Sequence, residues 1–408
     1  MSVTTDPSTT DPSQPCAVVV GASHAGSQLA VHLRKCGWTG RIVLVGEERW
    51  LPYHRPPLSK AVMSGTKEPD AIQLRPEAMY QSAQVEVRLG VRADRVEREQ
   101  QRVLLSNAEV LHYDVLALCT GAAPIRLPLG DGLEGVCYLR TLDDVLGIRE
   151  QLSTVKQAVI VGAGYIGLEA AAVLRQQGIE VTVLERADRV LKRVTGEQVS
   201  RYFAALHQHH GVAIHCGVEV TAILGNTKVD SVVCADGSVF SAQLVIVGVG
   251  VHPQIALAST AGLQIDNGIV VNEFGQSSDA HVFAAGDCAS HPSALYQRRL
   301  RLESVQNAND QSRVVAQNIV AFSQHQTLIE RYSAVPWFWS DQFDIKLQSA
   351  GLHQDFDHTE LDGVADPLDA SGFVLRYYRQ GRLIAADCVN RPKDFMAIKT
   401  ELAAQLSA

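Results

Sequence analysis

Apolar residues along the chain fall into short unbroken runs, not alternating ones. AVVV (17–20), VLALC (115–119), AVIV (158–161) and LVIVGVGV (244–251) have the length of a strand and no polar side. Runs of this kind, bounded by glycine, predict strands buried on both faces. After the first and third runs come Ala/Leu/Arg-rich stretches that stop near Gly37 and Gly178, where helices are expected to end. No run reaches the eighteen apolar residues of a membrane span.

The strand–turn–helix order occurs twice. VVVGASHAGSQLA occupies 18–30, and VIVGAGYIGLEAA returns at 159–171, with Gly162 standing 141 positions after Gly21. The second copy completes G-x-G-x-x-G with Gly162, Gly164 and Gly167; the first has Gly21 and Gly26 but Ser23 in the middle. Each copy runs on into a second strand closed by an acid, Glu47 in RIVLVGEE and Glu185 in EVTVLER. The spacing has a mechanism: a tight turn, a close approach of backbone to pyrophosphate, and tight helix–strand packing. The helix N-terminus then offers free N–H groups to phosphate, and the acid accepts a ribose hydroxyl. Serine is small enough to be tolerated in the middle position. Two such units predict two dinucleotides, and the natural pair is FAD with a nicotinamide, between which hydride moves.

Composition narrows the class. At 408 residues the chain predicts two or three domains, and 46% hydrophobic against 20% charged residues supplies ample core. A net charge of −8 argues against nucleic acid or an anionic membrane as partner. MSVTTDPSTTDPSQP lacks the apolar core of a leader, so residues 1–15 are expected to be a disordered tail and the protein cytoplasmic. Eight cysteines are scattered singly, without C-x-x-C or C-x4-C spacing, so no metal site is expected.

Other segments carry candidate chemistry. LPYHRPPLSK (51–60) predicts an extended, rigid turn flanked by Arg55 and Lys60, cations suited to a pyrophosphate or a reduced flavin. A strand is expected to end at Thr120-Gly121 and another at Gly286-Asp287, where a carboxylate suits a sugar hydroxyl. Glu303 and Ser304 in RLESVQNANDQS are expected to open a helix. Trp337, Phe338 and Trp339 form an aromatic cluster in PWFWSDQ.

Together RPPLSK, TGAAP, RTLDD, VGAGYIGLE, AAGDCA, RLESVQNA, PWFWSDQ and CVNRPKDF resemble, in order from about residue 16 to 395, the NADH:ferredoxin reductases of bacterial oxygenase systems. The resemblance implies an α/β, glutathione-reductase-like fold with two Rossmann-like dinucleotide-binding domains and a C-terminal α/β domain. It places a discontinuous FAD domain at 16–121 and 250–328, an NAD domain at 122–249 and an interface domain at 329–408. It implies FAD contacts at Gly21, Ala25, Gly26, Glu47, Arg55, Lys60, Ala93 (by its backbone), Thr120, Gly121, Arg140, Asp287, Val305 and Trp339. The nicotinamide falls on Gly162, Gly164, Tyr165, Ile166, Gly167 and Glu185. Departures are Ser23, His24, Glu47 for a commoner aspartate, and Cys119 for a commoner alanine.

The implied reaction is hydride transfer from NADH to FAD, then two single-electron transfers to a [2Fe–2S] ferredoxin that feeds a monooxygenase or dioxygenase. Lys60, Glu169 and Trp339 are the expected catalytic residues, with Glu169 pairing with Lys60. Arg298, Arg299, Arg301, Arg391 and Lys393 are candidates for docking an acidic ferredoxin, and a monomer is expected. An NADH oxidase or monodehydroascorbate-type reductase, or an NADH-sensing flavoprotein, stays open as an alternative.

Overall fold

The structure is a computed structural model that describes residues 14–328, 330–369 and 371–406. Apart from Gln14 and Pro15, the expected tail lies outside the described residues. The chain divides into two compact units. One holds the stretch up to Tyr53 with Gln73–Ala122 and Pro253–Ser333; the other holds His54–Ile72, Ala123–His252 and Ala334–Ala408. The RPPLSK segment thus groups with the second glycine-loop unit and the C-terminal region.

The first unit is built on a five-stranded parallel sheet, in the order Val282–Ala284, Val115–Leu118, Cys16–Val20, Arg41–Gly46, Val85–Leu89. The apolar runs form its central strands because strands covered on both faces have no water-facing side to fill with polar residues. Cys16–Val20 is buried throughout and pairs on both sides, Val18 lying opposite Val43 and Leu116. The helices His24–Lys35 and Val305–Ser323 cover one face through Leu29, Leu33, Val315 and Ile319. A three-stranded antiparallel sheet (Ala93–Glu97, Arg102–Leu105, Val110–His112) completes the unit.

The second unit repeats that plan. Its parallel sheet runs Ala213–Cys216, Glu180–Glu185, Gln157–Val161, Leu244–Val247, Val136–Tyr138, again with a three-stranded antiparallel sheet, Val220–Gly225, Val229–Cys234 and Val239–Ser241. In both units the chain reverses direction of travel beside the first strand, so each glycine loop sits at a topological switch point, where such sheets bind ligands.

The C-terminal region adds a five-stranded antiparallel sheet, in the order Trp337–Gln342, Ile345–Gly351, Arg382–Val389, Phe373–Arg379, His358–Gly363, followed by the helix Pro392–Ala404. Its register sorts the side chains cleanly. Opposed pairs put Trp337, Trp339, Gln348, Ala350, Ala386 and Cys388 on one face. Ser340, Gln342, Ser349, Asp387 and Tyr377 occupy the other. Helix residues Phe395 and Lys399 pack on Trp337 of the first face.

One local expectation is corrected. The paired prolines at 56–57 do not hold an extended turn; the chain enters a short π-helix, Leu58–Val62, with Pro57 at φ −67°, ψ −16°. Those angles suit the proline ring, and a proline at a helix entrance gives up no hydrogen bond.

Candidate functional site

The glycine loops show which positions need glycine and why. Gly21 has φ +113°, and a Cβ there would lie 2.0 Å from the Cys119 carbonyl oxygen; Gly162 has φ +104°, with its Cβ 2.5 Å from that of Gly248. Both turns therefore press against the neighbouring strand of their own sheet. A Cβ on Gly26 would reach 1.9 Å from the Gly21 carbonyl oxygen, and one on Gly167 2.2 Å from that of Gly162. The middle position is different. A Cβ on Gly164 meets no described atom within 4 Å, and Ser23 occupies the matching place in ordinary extended backbone. No protein contact forbids a side chain there, which is why serine fits.

Neither Ser23 nor Gly164 caps its helix through a side chain, and the first turns of His24–Lys35 and Tyr165–Gln176 carry no acid. Elsewhere the chain caps helices: Thr141 forms a capping box with Asp144, and the Ser304 hydroxyl accepts the Asn307 N–H at 3.0 Å. The two loop helices thus start with neither a side-chain cap nor a first-turn acid, which suits a pyrophosphate at each helix start. The residues present fit two dinucleotides.

The two acids differ. Glu185 accepts the backbone N–H of Ala163 and of Ala187, each at 2.7 Å, so it ties the second loop to its own strand end. Glu47 is exposed and 3.8 Å from the nearest guanidinium nitrogen of Arg92. In the first unit Ala93 opens its strand, Val305 opens its helix, and the Thr120 hydroxyl donates to the Gln254 carbonyl at 2.6 Å beside Gly121. Asp287 follows Gly286, whose N–H donates to Gln311 at 2.8 Å. Glu303 does not start the helix; it forms an ion pair with Arg301 at 2.7 Å.

In the second unit Lys60 and Glu169 meet, Nζ to carboxylate, at 2.7 Å. Glu169 is 5% exposed, and its carboxylate also accepts the hydroxyls of Ser59 (2.5 Å) and Ser340 (2.6 Å). Ser340 in turn accepts from Gln342 at 3.1 Å, and Gln342 bonds His207 at 2.8 Å. Arg55 donates to the Arg140 carbonyl at 2.6 Å, just before the capping box at Thr141. Trp339 lies on the sheet face opposite Ser340, with its ring 5.5 Å from that of Trp337. Ile166 is exposed in the first turn of the loop helix, while burial raises the pKa of the Tyr165 hydroxyl, on which Asp387 and Ser349 also act.

Ser59, Ser340, Gln342, His207, Ser349 and Asp387 escaped the sequence reading. The signal was there in one place: Asp387 is a lone acid inside the apolar run LIAADCV. Of the expected docking cations, Arg299 donates to the Val271 carbonyl at 2.6 Å and Arg301 is committed to Glu303 and the Asp287 carbonyl. Arg391 pairs with Asp394 at 2.7 Å and Asp362 at 3.5 Å; Lys393 is exposed. All eight cysteines carry free thiols. Among the described residues no helix is long and apolar enough to cross a membrane.

Comparison with known proteins agrees with this geometry. Residues 16–312 match the family described as pyridine nucleotide-disulphide oxidoreductase, and residues 337–408 match the reductase C-terminal family. The chain is 42% identical over 385 residues to putidaredoxin reductase of Pseudomonas putida, covering 93% of this chain and 89% of that protein. It is also 42% identical over 383 residues to a ferredoxin–NAD(P)+ reductase of a Sphingomonas species, covering 93% and 90%. Among solved structures it superposes on the reductase of a covalent putidaredoxin reductase–putidaredoxin complex, with a TM-score of 0.90, 40% identity, and 95% and 93% of the two chains covered.

Proposed function

This chain belongs to the pyridine nucleotide-disulphide oxidoreductase family, and we propose that it is an NADH-dependent, FAD-containing reductase passing single electrons to a [2Fe–2S] ferredoxin of an oxygenase system. The observation that carries this reading is the combination of two dinucleotide loops with eight unpaired thiols. Disulfide-working reductases of this fold carry a closely spaced cysteine pair beside the flavin, and no C-x-x-C or C-x4-C spacing exists in the sequence; Cys119 and Cys288, which act on each other, are buried in the core with thiols raised by burial. Electrons then leave without a protein disulfide, as suits a one-electron acceptor.

FAD is assigned to the first loop, through Gly21, Ala25 and Gly26, with Glu47, Ala93, Thr120, Gly121, Asp287 and Val305. Arg55, Lys60, Arg140 and Trp339 are proposed as further flavin contacts. NADH is assigned to Gly162, Gly164, Tyr165, Ile166, Gly167 and Glu185. When bound, FAD supplies the two-electron acceptor for hydride and the one-electron donor for the ferredoxin.

The chain's own residues contribute positioning and charge. Backbone amides at the two helix starts hold the pyrophosphates. The Glu169 carboxylate, gripped by Ser59 and Ser340, fixes the Lys60 ammonium at one place. A fixed cation of this kind stabilises negative charge as it develops nearby and needs no reorganisation. Glu185 repels a 2′-phosphate, and Arg189 donates to the carbonyls of Thr195 and Lys192; NADH is the expected donor over NADPH. Lys393 is proposed as a docking cation for an acidic ferredoxin, and the protein as a cytoplasmic monomer.

The test is steady-state NADH oxidation by the purified FAD-loaded protein, with and without a panel of [2Fe–2S] ferredoxins, alongside NADPH. Strong stimulation by one ferredoxin, with NADPH poor, is expected. Rapid NADH consumption that no ferredoxin accelerates overturns the reading in favour of an oxidase.

A further inference from the structure

The C-terminal sheet carries a buried acid that the reaction above does not use. Asp387 is 3% exposed and lies directly across from Ser349 in the sheet register. Its carboxylate accepts the Ser349 hydroxyl and the Tyr377 hydroxyl, each at 2.5 Å. One arm leads toward the second dinucleotide loop. Ser349 and Asp387 both act on the hydroxyl of Tyr165, the residue after Gly164 and the first of the loop helix. Tyr377 accepts the N–H of Gly196 at 2.8 Å, at the start of the helix Glu197–His209.

Gly196 is shaped for that contact. Its backbone is ordinary, φ −73°, yet a Cβ there would lie 2.7 Å from the Tyr377 oxygen. The segment leading to Gly196 is itself tied to the glycine loop, since the Leu191 N–H donates to the Ala163 carbonyl at 2.9 Å. One carboxylate therefore terminates a hydrogen-bond chain, through Tyr377 and Gly196, that holds the segment tied to the nucleotide loop.

We infer that Asp387 is a positioning residue for nicotinamide-nucleotide binding, holding the segment that leads to Gly196, and with it the Ala163 end of the loop, through Tyr377. This rests on the assignment of NADH to the second loop.

The direction of the hydrogen bonds gives the arrangement a pH dependence. An ionised Asp387 accepts from both hydroxyls. A protonated one must donate, so one hydroxyl turns round and its chain loses its polarity. Burial raises the Asp387 pKa to about 6, against the pull of the Ser349, Tyr377 and Gly196 donors. Of the other titratable groups facing this network, Tyr165 and Tyr377 are raised by burial, Cys388 is pushed up to about 12, and burial lowers His353, whose ring is 5.3 Å from that of Tyr377. Arg193 and Glu169 are the charged groups acting on Tyr165.

The experiment is calorimetric titration of the full-length, FAD-loaded protein with NAD+ between pH 5 and 8, for the wild type, Tyr377→Phe, Asp387→Asn and their double variant. Wild-type affinity is expected to weaken as pH falls through about 6, and Asp387→Asn to bind with a flat pH profile. Tyr377→Phe and Asp387→Asn are each expected to weaken binding about five-fold at pH 7.5, the worth of one hydrogen bond, and the double variant no further. Full additivity, unchanged affinity in both single variants, or a flat wild-type profile overturns the inference. If Asp387→Asn does not fold, Tyr377→Phe and the wild-type pH profile still decide it. A wild-type protein that binds no NAD+ at any pH defeats the assignment of the second loop itself.

Discussion

Lys60 and Glu169, 109 positions apart in the sequence, stand 2.7 Å from each other, the lysine 20% and the glutamate 5% exposed. An ion pair this shielded behaves differently from a surface one: removing one partner strands the other in a place poor in water. Lys60→Met should destabilise the protein by about 3 kcal/mol, and Glu169→Gln by less, because Ser59 and Ser340 can still bond the amide. The two changes should be strongly non-additive in both stability and the rate of flavin reduction by NADH. Additive effects in a double-mutant cycle, measured by denaturant unfolding and stopped flow, would refute a working pair.

The glycines separate structural from ligand-imposed constraint. Gly21→Ala combines a left-handed φ with a contact at 2.0 Å and should cost at least about 2 kcal/mol and most of the bound FAD. Gly164→Ala meets open space, so its melting temperature should be unchanged while the KM for NADH rises several-fold. Ser23→Gly should retain FAD at least as well as the wild type. Flavin-to-protein absorbance ratios and melting curves check all three; a Gly164→Ala protein with wild-type KM would show that no ligand approaches that position.

Two buried groups give opposite pH signatures. His207 is fully buried, and burial lowers its pKa to about 4. The unfolded chain takes up a proton near pH 6.5 and the folded one resists until about pH 4. Its contribution is therefore complete above the unfolded pKa and is lost as pH falls through the folded one, by about 3 kcal/mol in full. Asp387, raised to about 6, has the reverse sign: the fold binds a proton that the unfolded chain does not, so acidification from pH 7 to 4 favours the fold. His207→Gln should flatten the acid limb of the stability curve, and Asp387→Asn should steepen it. Urea midpoints at pH 4.5 and 7 decide; parallel shifts in both variants would contradict the assignment.

Charge reversal distinguishes docking from structure among the cations. Lys393→Glu should raise the KM for a ferredoxin in a way that fades with salt, leaving NADH-dependent flavin reduction untouched. Arg301→Glu should instead lower stability, because it sets a second negative charge beside Glu303. Ionic-strength series of ferredoxin reduction and melting curves separate the two. A Lys393→Glu enzyme with wild-type ferredoxin kinetics would remove that residue from the docking face.

What the chain dictated on its own was whatever depends on neighbours in sequence or on a strand pairing forced by an apolar run. Four unbroken hydrophobic runs specify two parallel sheets, since a strand without polar positions has no side to show to water. Gly21, Gly26, Gly162 and Gly167 were legible because part of their need is local: a positive φ at Gly21 and Gly162, and at Gly26 and Gly167 a contact with a residue five positions away. The prolines of RPPLSK misled because proline's fixed φ serves an extended chain and a helix entrance alike, and the side-chain pattern of the next five residues does not choose between them. What only the tertiary structure decided is the polar machinery behind the loops. Ser340 reaches Glu169 across 171 positions, and Tyr377 reaches Gly196 across 181. Serine, glutamine and tyrosine are ordinary in strands, and nothing local marks one that faces inward. Their meaning comes from the sheet register, which sets Ser340, Gln342, Ser349, Tyr377 and Asp387 on one buried face, where each polar atom must find a partner or destabilise the fold.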